Sequence, residues 1–237
     1  MYLPSPKGRQ KEVLYLPAQG HVVVLGTAGS GKTTLAILRA AYLAKKFTDP
    51  DRRVLLVTFN HTLVTYLESL ASVQLRDVDV RIYHRFARGY LHSRNKMHYN
   101  AIVGKDRRET LIKNALNEAK LVNGTHPIYE RSLEMLSTEF EWIAKSGIRT
   151  ADDYFQVERV GRSGTRVTRK DRRVLFGIYE RYLKLRSSAG YDYDWDDLAL
   201  AIVDEFATDT SPRMYQHIVI DEGQDFSPTM LSLHFAP

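Results

Sequence analysis

The sequence predicts an α/β fold: a parallel sheet built around a phosphate-binding loop and interrupted by a mainly helical insertion. Three observations predict it. The first is Gly26-Thr27-Ala28-Gly29-Ser30-Gly31-Lys32-Thr33, which lies between a β-branched apolar run, Val22 to Leu25, and a helical pattern from Thr34 to Lys45 with apolar residues at 35, 37, 38, 41 and 43. The second is His217-Ile218-Val219-Ile220-Asp221-Glu222-Gly223-Gln224-Asp225, an apolar strand that ends in adjacent carboxylates. The third is distance: far more chain separates Phe86 from that strand than one crossover helix needs, so an inserted domain lies between them.

Val22 to Leu25 reads as a buried strand feeding the loop. The glycines let successive N–H groups turn toward a phosphate at the positive end of the following helix, and Lys32 adds a mobile charge for the terminal phosphates. Gly26 to Thr34, with Thr27, Ala28, Gly29, Ser30 and Gly31 between them, form the predicted nucleotide-binding segment, and Thr33 is the predicted magnesium ligand. Val54 to Asn60 reads as a second buried strand ending in polar and aromatic residues, and Val78 to Ala87 contains a third strand-like stretch. His217 to Asp221 has the form of a Walker B strand, whose end lies beside the phosphate loop in a doubly wound sheet. Asp221 is then placed to hold magnesium through water and Glu222 to polarise the attacking water as general base, with Lys32 and Gln224 completing the predicted catalytic set.

The insertion carries helical patterns at Arg107 to Leu121, Ser132 to Lys145 and Arg172 to Ser187. Residues 1–90 and 191–237 are predicted to form the ATPase core, and 91–190 the helical subdomain. Arg159, Arg162, Arg166, Arg169, Lys170, Arg172 and Arg173 make the densest positive stretch; Gly161, Ser163, Gly164 and Thr165 break it up, as in a loop that lies along phosphates or a solvated face. Tyr191-Asp192-Tyr193-Asp194-Trp195-Asp196-Asp197-Leu198 reads as an acidic helix start capped by Asp194.

Composition bounds the rest. With 237 residues and 43% hydrophobic content the chain can build one α/β domain with a large insertion. A net charge of +6 suits a polyanionic partner or an ordinary basic protein equally. There is no cysteine, which excludes disulfides, thiolate zinc sites and cysteine nucleophiles. No apolar run approaches a membrane span and the first residues lack a signal-peptide core, so the expectation is a cytoplasmic protein with no membrane partner.

Among nucleotide-binding classes, a GTPase needs NKxD, and Asn95-Lys96-Met97-His98 has histidine in the last place. A transporter-type serine-glycine signature does not occur. The sequence Asp221-Glu222-Gly223-Gln224-Asp225 instead resembles motif II of superfamily 1 DNA helicases of the UvrD/Rep type, whose motor core is RecA-like. That resemblance runs from Gln10 to Asp225 in family order. It implies that Gln10 reads adenine, that Phe59 and Asn60 at the second strand end contact single-stranded nucleic acid, and that Tyr83 and His84 do so after the third. His61 stands at a position that varies among relatives. Tyr191 to Leu198 resembles the "DFDDLL" segment where the family's chain re-enters the core.

The resemblance also implies ATP and Mg2+ as cofactors, single-stranded or partly duplex DNA as partner with RNA as an alternative, and 3′–5′ movement. In relatives a further strand follows motif II and pairs beside the phosphate-loop strand, and then a second motor domain brings an arginine finger. The chain as given is therefore expected to expose a sheet edge or recruit another chain, and to turn over ATP little or not at all alone. The alternative function is a module that binds nucleotide and nucleic acid without translocating. A catalytically defective regulatory homologue fits less well, since Lys32, Thr33, Asp221 and Glu222 are all present.

Overall fold

The structure, a computed structural model, describes residues 5–70, 75, 77–159 and 167–232. They divide into two compact units, one drawn from Met1–Ala87 and Asp209–Phe226 and the other from Arg88–Thr208 and Ser227–Pro237.

The first unit is the α/β one. Its strands β1 (Arg53–Thr58), β2 (Val78–Ile82) and β3 (Tyr215–Ile220) form a parallel sheet in the order β2-β1-β3. Leu56 of β1 stands opposite Val80 on one side and Val219 on the other. The central strand carries a continuous apolar run, Val54-Leu55-Leu56, and all three residues are fully buried, as a parallel strand covered on both faces requires. Helices α1 (Arg9–Leu14), α2 (Lys32–Lys46) and α3 (His61–Leu70) belong to this unit, and α4 (Tyr83–Ser93) begins where β2 ends. Ile37, Ala40 and Leu43 of α2 share one helix face and pack with Val54, Leu56 and Val78. Each such aliphatic side chain contributes roughly 1.5–3 kcal/mol by burial. Ala40 has no exposed surface, so the helix approaches closely there and any larger residue would overpack the contact.

One expected strand is absent. Residues 21–27 lie outside any ladder, and Val22, Val23, Val24 and Leu25 are 50%, 84%, 40% and 90% exposed. A strand must place its N–H and C=O groups against a neighbour. Among the described residues no strand lies beside this run, and β3 likewise keeps one edge of the sheet unpaired. The helix after the loop, by contrast, is held by its own apolar face.

The second unit is helical: α5 (Lys105–Asn123), α6 (Leu133–Lys145), α7 (Ala151–Gln156), α8 (Arg169–Ser188), α9 (Leu198–Thr208) and α10 (Pro228–Ser232). The three predicted helices correspond to α5, α6 and α8, and their starts follow from side-chain caps. The Ser132 hydroxyl accepts from the Met135 N–H, and Thr168 with Asp171 forms a capping box, as does Thr150 with Asp153 at α7. The core joins Leu111, Ile112, Leu136, Phe140, Ile143, Leu175, Phe176 and Tyr182. Helix α9 packs against α6 and α10, so residues 191–208 group with the insertion and not, as expected, with the ATPase core.

Buried charges organise this unit. Glu139 is fully buried, accepting from the Tyr154 hydroxyl and from Arg159, whose Nη2 lies 2.6 Å from its carboxylate. Arg172 donates to the carbonyls of Tyr154, Phe155 and Val157. Two members of the basic stretch are thus interior structural groups and not phosphate contacts. Arg162 and Arg166, with Gly161, Ser163, Gly164 and Thr165, lie outside the described residues, whereas Arg169, Lys170 and Arg173 are exposed. Asp194 is not a helix cap: its carboxylate is buried and accepts from Arg108 and from the Tyr182 hydroxyl, while Arg186 pairs with Asp197. The acidic segment is acidic because it neutralises two interior arginines.

Candidate nucleotide site and nucleic-acid face

The phosphate loop spans 26–31 and runs into α2, whose N-cap is Gly31. Gly31 has φ +81°, in the left-handed region, and a Cβ there would meet Gln10 Nε2 at 3.0 Å. A Cβ on Gly26 would meet Ser30 Oγ at 2.7 Å. The left-handed backbone is what calls for glycine at 31, whereas at Gly26 the Ser30 side chain would have to turn aside. Residues 26–30 are exposed, and the opening N–H groups of the 15-residue α2 have no intrahelical acceptor, an arrangement able to receive an anion. Lys32 Nζ donates to the carbonyls of Gly26 and Thr27, each at 3.0 Å, so its ammonium sits over the loop.

The two halves of the predicted site meet at the sheet. Asp221 follows β3, and its N–H donates to the Val57 carbonyl at 3.0 Å, which continues the ladder to the last residue before the turn. Its Oδ1 accepts from the Thr33 hydroxyl at 3.2 Å although the residues are 188 positions apart. Asp221 is buried, and that burial raises its carboxyl above the usual range; the Thr33 hydrogen bond opposes the shift and neighbouring Glu222 adds to it. A desolvated carboxylate against a hydroxyl, at the N-terminus of a helix and near Lys32, fits a hard divalent cation that draws its other oxygens from phosphate and water. These residues fit magnesium-bound ATP.

Glu222 has φ +54°, a left-handed conformation that costs a non-glycine residue on the order of 1–3 kcal/mol. The turn Gly223–Asp225 holds it there: the Asp225 N–H donates to the Glu222 carbonyl at 2.9 Å, and Gln224 Nε2 donates to the Glu222 carboxylate.

A family model of the UvrD/REP helicase N-terminal domain matches residues 7–235. The chain belongs to this family. A relative from Bacillus subtilis (strain 168), named "Putative ATP-dependent DNA helicase YjcD", is 25% identical over 231 residues, a stretch that takes in 91% of this chain. The chain spans 28% of that relative's length. Among the described residues no helix is long and apolar enough to cross a membrane.

The remaining residues expected from the UvrD/REP resemblance fall into place unevenly. Gln10 is tied to the loop, with Nε2 donating to the Ser30 carbonyl and Oε1 accepting from the Lys7 N–H, both at 2.9 Å. Asn60 is exposed, and its Oδ1 accepts from the Leu63 N–H and so caps α3. Phe59 and His84 are half-buried, with ring centroids 5.6 Å apart. Tyr83 is a correction: at 1% exposed it cannot stack on a base in this conformation, and it backs Phe59 and His84 from within.

Two aromatic residues were not singled out from the sequence. Phe226, directly after the carboxylate turn, is buried with its ring centroid 4.7 Å from that of Phe59. Trp195 of the helical unit is 42% exposed and has the Arg88 guanidinium 5.8 Å from its ring centroid.

Proposed function

We propose that the α/β unit binds ATP with magnesium, and that within a longer UvrD-like DNA helicase it couples ATP hydrolysis to 3′–5′ movement along single-stranded DNA. The observation that carries this reading is the meeting of Thr33 and Asp221, 3.2 Å apart, at the mouth of the phosphate loop. Magnesium-bound ATP supplies the electrophilic γ-phosphoryl group. The N–H groups of the loop and of Lys32 to Thr34 take the phosphate oxygens, and Lys32 exchanges its loop carbonyls for them. Thr33 and Asp221 hold the cation. Glu222 accepts the proton of the attacking water, and Gln224, hydrogen-bonded to that carboxylate, fixes its direction. Gln10, docked on the loop, is placed to meet the adenine.

Transition-state charge calls for an arginine finger from a second motor domain, an effect of roughly 10³- to 10⁵-fold where such fingers are known. DNA is held on this unit by the Phe59 and His84 rings, with sequence tolerance because every base has a π face. The test is ATP hydrolysis by the longer helicase with and without single-stranded DNA. Glu222→Gln is expected to keep nucleotide binding and lose hydrolysis, and Lys32→Ala to lose both. Parental hydrolysis by Glu222→Gln removes Glu222 as general base.

A further inference from the structure

The four rings of Phe59, Tyr83, His84 and Phe226 form one cluster that joins three backbone segments. Phe59 follows β1, Tyr83 and His84 open α4, and Phe226 follows the carboxylate turn after β3. Phe226 lies 4.7 Å from Phe59 and 5.7 Å from Tyr83, and its ring is nearly perpendicular to that of Tyr83, at 87°. Phe59 lies 5.8 Å from Tyr83. Phe226 is buried, and no solvent separates it from the rings proposed to meet DNA.

On its other side Phe226 is bound to the turn that aims the general base. Its N–H donates to the Gly223 carbonyl at 3.3 Å, the Asp225 N–H donates to the Glu222 carbonyl, and Glu222 itself sits at φ +54°. Three residues of a hydrogen-bonded turn therefore separate a strained carboxylate from a ring packed on the DNA-facing aromatics. Of the three rings packed on Phe59, that of Phe226 lies nearest, at 4.7 Å, and it alone is joined to the Glu222 turn, so a displacement of Phe59 by a stacked base has a direct route to that turn.

The cluster also contains a group poised for a second arrangement. The Tyr83 hydroxyl is buried with no hydrogen-bond partner among the described residues, in a pocket of rings that offers it no acceptor. A repacking that brings this hydroxyl to water or phosphate gains a hydrogen bond that the present arrangement lacks.

We infer that Phe226 is a positioning residue that couples DNA at the Phe59–His84 face to the nucleotide site through the Glu222 turn. The inference rests on the nucleotide and DNA sites proposed above. Coupling is reciprocal between binding equilibria, so it is measurable without turnover.

The experiment titrates a fluorescein-labelled oligothymidylate into the 237-residue chain by anisotropy, with and without magnesium and a non-hydrolysable ATP analogue. The wild type is expected to show about a fivefold or larger change in DNA affinity on adding nucleotide, in the range typical of allosteric coupling. Phe226→Leu keeps the apolar bulk and loses the ring; it is expected to bind each ligand alone within about twofold of wild type and to bring the ratio to near one. Phe226→Tyr is expected to restore the ratio. Circular dichroism confirms that each variant is folded, and Phe226→Leu is chosen over alanine for that reason. An unchanged ratio in Phe226→Leu overturns the inference, as does a wild-type ratio of one with both ligands bound. Failure of the wild type to bind either ligand refutes the proposed function itself.

Discussion

The Tyr83 hydroxyl is a buried polar group with no hydrogen-bond partner among the described residues, and removing it tests the aromatic cluster directly. Tyr83 is 1% exposed, its hydroxyl has no partner among the described residues, and burial pushes its ionisation well above the ordinary phenol range. An unpartnered buried hydroxyl forfeits its hydration, at a cost of about 1–3 kcal/mol. Tyr83→Phe deletes that oxygen and keeps every ring contact with Phe59, His84 and Phe226. The small void left behind gives back part of the gain, so the net stabilisation is about 1–2 kcal/mol. In a chain of this size each kcal/mol raises Tm by about 2–4 °C, which predicts a rise of about 2–8 °C. Urea unfolding followed by far-ultraviolet circular dichroism measures it, with the m-value unchanged. A variant destabilised by about 1 kcal/mol or more would show that the hydroxyl has a partner, and the argument for a second ring arrangement would fall.

Three further outcomes are expected. Glu139→Ala leaves Arg159 buried without its carboxylate and should cost about 3–5 kcal/mol in chemical unfolding, while Glu139→Gln, which still accepts hydrogen bonds, should cost less; equal costs would mean that the hydrogen bonds kept by the amide contribute nothing there. Tyr215 donates to Asp79 at 2.8 Å, and burial with that hydrogen bond pushes its phenol up to about 12 from 10.0. The folded state thus keeps its proton longer than the unfolded chain, so the stability difference between wild type and Tyr215→Phe should be constant below pH 10 and shrink as pH rises through about 12; a difference that grows would reverse the sign. Val23 and Leu25 are 84% and 90% exposed beside no strand, and the 237-residue chain should self-associate with concentration in sedimentation velocity. Val23→Lys with Leu25→Lys should abolish this, and identical sedimentation would show that the run is not the contact.

What the sequence made legible was local chemistry with a period or a fixed spacing. The helix after the loop, the central strand and three helices of the insertion each carry an apolar pattern that burial then uses, and the Ser132 and Thr168 caps mark two of the starts. The carboxylates at the end of β3 and Thr33 after the loop were readable as a pair from their motifs, and the structure brings Thr33 and Asp221 into hydrogen-bond contact. The misreadings have a common cause. Val22 to Leu25 is a strand by composition, but strand formation depends on neighbours, and among the described residues none lies beside it. Arg159 and Arg172 look like phosphate contacts in one dimension, yet their partners, Glu139 and the carbonyls of α7, come from elsewhere along the chain. Asp194 looked like a cap for the same reason. Tyr83 follows a strand as Phe59 does, and only its burial and packing against Phe226 show that its ring is turned inward.

Equilibrium binding tests, without any second domain, the proposal that Thr33 and Asp221 hold magnesium for a triphosphate cradled by residues 26–34. A fluorescent ATP analogue titrated into the 237-residue chain is expected to bind with magnesium, to weaken at least about tenfold when magnesium is chelated or Asp221 is changed to Asn, and to be lost in Lys32→Ala. Binding that is indifferent to magnesium and to both substitutions would contradict the account, because the phosphate loop would then not be where the nucleotide sits.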